Sequence, residues 1–121
     1  MNIRRRVKLW AVAKGVVIEG DLRTSKLYPA EESRSGRAVW WVEIPLAKLN
    51  ALTKFDVFCE KDIEVDDFHH LSIPAADLQT ALGKMHGTNG KVMIWLSAEK
   101  GDFMRDTHPR GGGLNFQRFL I

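Results

Sequence analysis

Apolar and polar residues follow one another in short runs along this chain, and prolines, glycines and charged clusters separate the runs. Residues 3–13 set Ile3, Val7, Leu9, Ala11 and Ala13 against Arg4, Arg6, Lys8 and Trp10. This loose alternation predicts a strand, although an apolar window this short also suits a helix. Val16-Val17-Ile18 is a second β-branched run, and Lys14-Gly15 supplies a tight turn between the two. Residues 20–37 hold Gly20, Pro29, Gly36 and many serine and charged residues, and they read as a long loop. The pattern sharpens from residue 38. Strands are predicted over 38–42, 55–59 and 68–71, and helices from Pro45 to Thr53 and from Pro74 to Met85. An acidic connection spans 61–66 and a turn spans 87–90. Residues 92–96 are continuously apolar, which predicts a strand covered on both faces. After a Gly-rich loop over 100–113, residues 114–120 alternate almost ideally and predict an edge strand.

One phrase occurs twice. Glu43-Ile44-Pro45-Leu46-Ala47-Lys48-Leu49 is echoed by Ser72-Ile73-Pro74-Ala75-Ala76-Asp77-Leu78. Proline is tolerated at the first turn of a helix, so each copy reads as a strand that ends where a helix begins. The fold class is therefore α+β: one domain over residues 1–121, with a mainly antiparallel sheet and two helices starting near Pro45 and Pro74. The order β-α-β-β-α-β over 38–97 is that of a ferredoxin-like sandwich, here with extra N- and C-terminal strands. The predicted core includes Leu9, Val17, Val42, Ile44, Leu49, Val57, Leu71, Ile73, Leu78, Leu82, Ile94 and Leu96.

The apolar runs are too short to span a membrane. The N-terminal residues lack the apolar block of a secretory signal. The single cysteine, Cys59, excludes an internal disulfide, which fits a cytoplasmic protein. Net charge is +3, but it is unevenly spread: +5 over residues 1–30, +1 over 31–54, −6 over 55–82 and +3 over 83–121. Basic ends of this kind attract nucleic acid or an acidic protein surface.

The candidate binding residues are Arg4, Arg5, Arg6 and Lys8 at one end and Arg105 and Arg110 at the other, with Trp40 and Trp41 between them. Adjacent strand residues point to opposite faces, so one indole enters the core. The other is exposed, and can stack on a base or anchor a partner, unless a helix covers that face. His69-His70 obeys the same geometry and brings at most one imidazole to a given face. No metal-ligand spacing, cofactor motif or catalytic grouping stands out, so no metal, cofactor or catalytic residue is assigned.

The run Val39-Trp40-Trp41-Val42-Glu43-Ile44-Pro45, with Phe55-Asp56-Val57-Phe58 and Phe68-His69-His70-Leu71-Ser72-Ile73-Pro74, resembles the region after the catalytic core of restriction-endonuclease-like, PD-(D/E)XK-type proteins. The resemblance covers residues 38–85 and implies a metal-dependent nuclease fold. That family's Glu/Asp-x-Lys signature is missing, and Asp21-Leu22-Arg23 is its nearest imitation, which implies an inactive or divergent relative. Three functions follow from the sequence. The first is a non-enzymatic binding protein, a small regulator or inhibitor, that holds nucleic acid or an acidic protein through its basic ends. The second is a divergent nuclease. The third is an assembly protein that forms homo-oligomers through its C-terminal edge strand.

Overall fold

The computed structural model describes residues 1–51, 53–62 and 64–121. The chain opens with a helix, α1 (Ile3–Lys14), and not with the strand that its alternation predicts. The Asn2 side chain accepts a hydrogen bond from the Arg5 N–H at 2.9 Å, and Gly15 closes the helix in the left-handed conformation at φ 69°. Ile3, Val7 and Ala11 recur every fourth residue, and this stripe faces the protein, with Val7 and Ala11 buried. Leu9 points away and is 53% exposed. Val16 to Ile18 form no strand, and Val17 is 71% exposed.

Residues 20–37 are also more ordered than their composition suggests. They contain β1 (Asp21–Ser25), β2 (Leu27–Tyr28) and a 3-10 turn at Ala30–Glu32. β1 runs parallel to β4 (Lys54–Glu60), whereas β2 runs antiparallel to β3 (Val39–Pro45). One extended segment, bent at Lys26, thus serves two sheets. Ser25 fixes the bend: its Oγ accepts the Trp41 N–H and donates to the Lys26 carbonyl, each at 2.8 Å.

β4 pairs antiparallel with β5 (Phe68–Pro74), giving the three-stranded sheet β1-β4-β5. β3 pairs antiparallel with β7 (Lys91–Ser97), which carries the short β6 (His86–Thr88) on its other edge, giving the four-stranded sheet β2-β3-β7-β6. Asn89 and Gly90, at φ 52° and 75°, turn β6 into β7. The protein is α+β with mostly antiparallel strands, and the predicted element order over 38–97 holds with β6 added. The strands of that unit lie in two sheets rather than in one ferredoxin-like sheet. The edges that would join are occupied: β2 takes the open edge of β3, and Leu120 bridges to Leu71 on the open edge of β5.

Both Ile-Pro pairs end a strand. β3 closes at Pro45 ahead of α2 (Leu46–Ala51), and β5 closes at Pro74, the N-cap of α3 (Ala75–Thr80). α3 stops short of the predicted Met85 and passes into a 3-10 turn at Leu82–Lys84, which leaves Leu82 exposed.

Strand alternation sends Trp40, Val42 and Ile44 of β3 and Ile94 and Leu96 of β7 into the main core, where they meet Phe55, Val57, Leu71 and Ile73 of the other sheet. Leu49 of α2 and Leu78 of α3 complete that core. A second cluster, Val7, Leu22, Phe58 and Phe68, seals the outer face of the three-stranded sheet beneath α1. The predicted C-terminal edge strand is absent. Asn115 bridges to Arg105, Leu120 bridges to Leu71, and Gln117–Phe119 is a 3-10 turn. Phe116 and Phe119 are three residues apart, one 3-10 turn, so both reach the main core from the same side. Among the described residues, no helix is long and apolar enough to cross a membrane.

Candidate nucleic-acid interface

The outer face of the four-stranded sheet carries the residues that alternate with the core. Register places Trp41 opposite Trp95, Glu43 opposite Met93, Tyr28 opposite Val39 and His86 opposite Met93. α1 covers the other sheet and, among the described residues, no helix covers this face, where Trp41 is 38% exposed although its neighbour Trp40 is 2% exposed, while Val39 and Trp95 are buried by the side chains around them. The predicted cover on both faces of β7 holds at Trp95, which is 7% exposed beneath Trp41 and His108, and is incomplete only toward the start of the strand, at Lys91 and Met93.

The rings form a continuous run. Centroids lie 6.3 Å apart for Tyr28 and Trp41, 5.5 Å for Trp41 and Trp95, 4.4 Å for Trp95 and His108, and 4.2 Å for His108 and His86. Most of these contacts are tilted, and the two imidazoles are stacked. The run floors a cavity of about 520 Å³ whose rim carries Glu32, Arg34 and Arg110. A second cavity, of about 470 Å³, adjoins it and is lined by Arg4, Arg23, Thr24 and Glu43. Tyr28 and Trp41 line both and form the ridge between them.

Arg34 and Arg110 are exposed and form no ion pair among the described residues. Arg4 donates to the Leu22 carbonyl at 3.1 Å, and Lys26 lies 4.9 Å above the Tyr28 ring. Lys91 answers the Glu43 carboxylate on the open sheet face at 2.8 Å. Arg23 pairs with Asp21 at 2.6 Å. Burial works against the charged form of Asp21, yet hydrogen bonds from Arg23 and Lys48 outweigh it and hold this carboxyl below the usual range.

The loop that presents His108 and Arg110 is pinned to β7. Asp106 Oδ1 accepts the Trp95 N–H at 3.1 Å and the His108 N–H at 3.0 Å, and Thr107 Oγ1 donates to the Trp95 carbonyl at 3.0 Å. A side chain at residue 111 would put its Cβ 2.6 Å from Asp106 Oδ2, so the glycine there permits the close turn. His108 Nδ1 accepts the Arg110 N–H at 3.0 Å, which fixes the neutral tautomer with its proton on Nε2. Burial lowers the His108 pKa, and His86 and Arg110 lower it further.

The sequence-predicted residues divide into two groups. Arg4, Trp41 and Arg110 line the two cavities. Trp40 is buried and donates from Nε1 to the Glu60 carbonyl at 2.7 Å. Arg6 is held by Glu60 and Asp66, each at 2.7 Å, and those hydrogen bonds raise its pKa. Arg5 and Lys8 lie on the exposed side of α1. Arg105 donates to the Gly113 carbonyl at 2.7 Å and braces the glycine loop. Tyr28, Arg34, His86, Trp95 and His108 join the site without having been predicted.

A second polar centre lies on the opposite sheet. There His70 Nε2 and Asp56 Oδ1 meet at 2.6 Å, both buried, with the His70 ring stacked 4.2 Å from that of Phe58. The described residues contain no group of three His, Cys, Asp or Glu side chains suited to a metal ion. Burial pushes the Cys59 thiol pKa far up, so it stays protonated. No family model matches this chain, and neither a curated protein nor a solved structure is similar to it.

Proposed function

We propose that this protein is a non-enzymatic binding protein that takes nucleic acid on the outer face of its four-stranded sheet. The observation that carries this reading is the run of five rings along a cavity, with Trp41 exposed and Trp95 buried beneath it, flanked by Arg34 and Arg110, which no carboxylate holds among the described residues. Aromatic side chains on a sheet stack bases, each worth ~1–3 kcal/mol by alanine substitution. Arginines beside them neutralise the phosphates that follow. The basic rim favours nucleic acid over a cationic ligand, which aromatic cages also attract.

The test is fluorescence anisotropy of labelled DNA and RNA, single-stranded and duplex, over a salt series with and without Mg²⁺. Binding that weakens steeply with salt is expected, with a loss of about tenfold for Trp41→Ala. Absence of binding at low salt overturns the reading and redirects the search to an acidic protein. Cleavage in the Mg²⁺ samples that disappears in Asp21→Ala would favour the divergent-nuclease alternative.

A further inference from the structure

The two cavities on the open sheet share a wall but differ in chemistry. The larger is floored by rings, Trp41, Trp95 and His108 among them, and its charged groups stand at the rim. The smaller is polar, with Arg4, Arg23 and Thr24 facing Glu43. Each falls within the ~300–1,000 Å³ typical of a small-ligand site, so each accepts a group of nucleotide size. The ridge between them is itself aromatic, because Tyr28 and Trp41 border both. A base on one side of this ridge and a sugar-phosphate on the other keep favourable contacts throughout.

We infer that the two cavities are successive subsites of one track, and that the ligand is a single-stranded oligonucleotide of at least two nucleotides. This rests on the nucleic-acid reading above and narrows it. Bases stack in the ring-floored cavity, where His108 offers a fixed Nε2–H donor. The strand crosses the Tyr28–Trp41 ridge and lays its next phosphate into the Arg4 and Arg23 cavity. A mononucleotide fills only the first subsite. A duplex cannot bind this way, because its bases already stack on one another and present no free face to Trp41. Ribose and deoxyribose strands share the chemistry used here.

The test is a length series measured by isothermal titration: a 5′-mononucleotide, then strands of two, four and eight residues, in both RNA and DNA. Wild-type affinity is expected to rise about tenfold or more between the mononucleotide and the tetranucleotide. Arg4→Ala removes an exposed side chain whose hydrogen bond ends on a carbonyl. It is expected to flatten that rise while leaving mononucleotide affinity within about twofold. Arg110→Ala, on the other rim, is expected to weaken every length. A mononucleotide that binds as tightly as the octamer overturns the two-subsite track and leaves the nucleic-acid reading standing. An Arg4→Ala effect that is equal at every length does the same. No binding at any length overturns both. The wild-type length series requires no variant, so a folding defect cannot mask the answer. A preference for RNA or DNA within the series identifies the natural strand.

Discussion

Replacing Asp56 with alanine tests how the two ends of the three-stranded sheet are held. Asp56 Oδ2 accepts the N–H groups of Glu19 and Gly20 at 3.1 Å and 2.6 Å, and Oδ1 meets His70 Nε2 at 2.6 Å. One carboxylate therefore joins the connection after α1 to β4 and β5. Asp56→Ala leaves three donors or acceptors without their partner. A buried polar group without a partner costs ~1–3 kcal/mol. The two N–H groups are partly buried and belong near the lower limit, whereas the His70 ring is buried and belongs near the middle. The sum is about 4 kcal/mol, a large share of the ~5–15 kcal/mol that holds a domain of this kind together. With a urea slope of ~2 kcal/mol per molar, the unfolding midpoint should fall by about 2 M. Urea titration followed by circular dichroism measures it directly. A loss below about 1 kcal/mol would refute the reasoning, because it would mean that water replaces the carboxylate at little cost. His70→Ala and the double variant complete a cycle, and a coupling of at least about 1 kcal/mol is expected for groups in direct contact.

Other outcomes follow from the same structure. Trp40→Ala should cost about 3–5 kcal/mol of stability through the cavity it leaves, while Trp41→Ala should cost under about 1 kcal/mol; chemical denaturation that ranks the two equally would contradict the assignment of faces. A Cβ added at Gly20 would lie 2.5 Å from the Lys54 carbonyl oxygen, whereas one at Gly83 meets nothing within 4 Å. Gly20→Ala should therefore lower the melting temperature by several degrees and Gly83→Ala should leave it within a degree or two, at roughly 4–8 °C per kcal/mol for a domain this small. Burial raises the Asp106 carboxyl pKa, against hydrogen bonds from the His108 and Trp95 N–H groups. The folded chain then holds a proton that the unfolded chain has lost, so this group's contribution to stability falls as pH rises from the ordinary aspartate value through the raised one. Asp106→Asn keeps an acceptor oxygen and cannot ionise; thermal unfolding should find it more stable than wild type at pH 7, with a gap that closes toward about pH 4. A gap of the same size at both pH values would contradict this.

The four long strands were legible in the sequence, β3 and β5 because each closes on Ile-Pro and β4 and β7 because each is a short, largely apolar run. α1 was obscured by Leu9 and Ala13, exposed residues that mimic strand alternation. The stronger signals were there: Asn2 as a cap, Gly15 as a stop, and Ile3, Val7 and Ala11 at helical spacing. The C-terminal alternation misled in the opposite sense, since Phe116 and Phe119 reach the core through a 3-10 turn. Of the binding surface, Trp41, Arg4 and Arg110 could be proposed from local pattern and charge. Tyr28, Trp95, His86 and His108 could not. The first three meet because β2, β3, β7 and β6 align in one register, a pairing that links residues up to about sixty positions apart, and His108 joins them through the loop that Asp106 and Thr107 pin to β7; both lie beyond the reach of any short window.

The facing indoles of Trp41 and Trp95 have an optical consequence. Their rings lie 5.5 Å apart at an angle of 54°, close enough and tilted enough for the electronic transitions of the two chromophores to mix. Such a pair gives a circular-dichroism couplet whose sign and size depend on mutual orientation. Trp10 and Trp40 sit apart, among phenyl and imidazole rings, and lack an indole neighbour of this kind among the described contacts. The open sheet thus carries its own chromophoric gauge: a group that settles on either ring shifts the couplet, and compounds of any class can be screened without attaching a label.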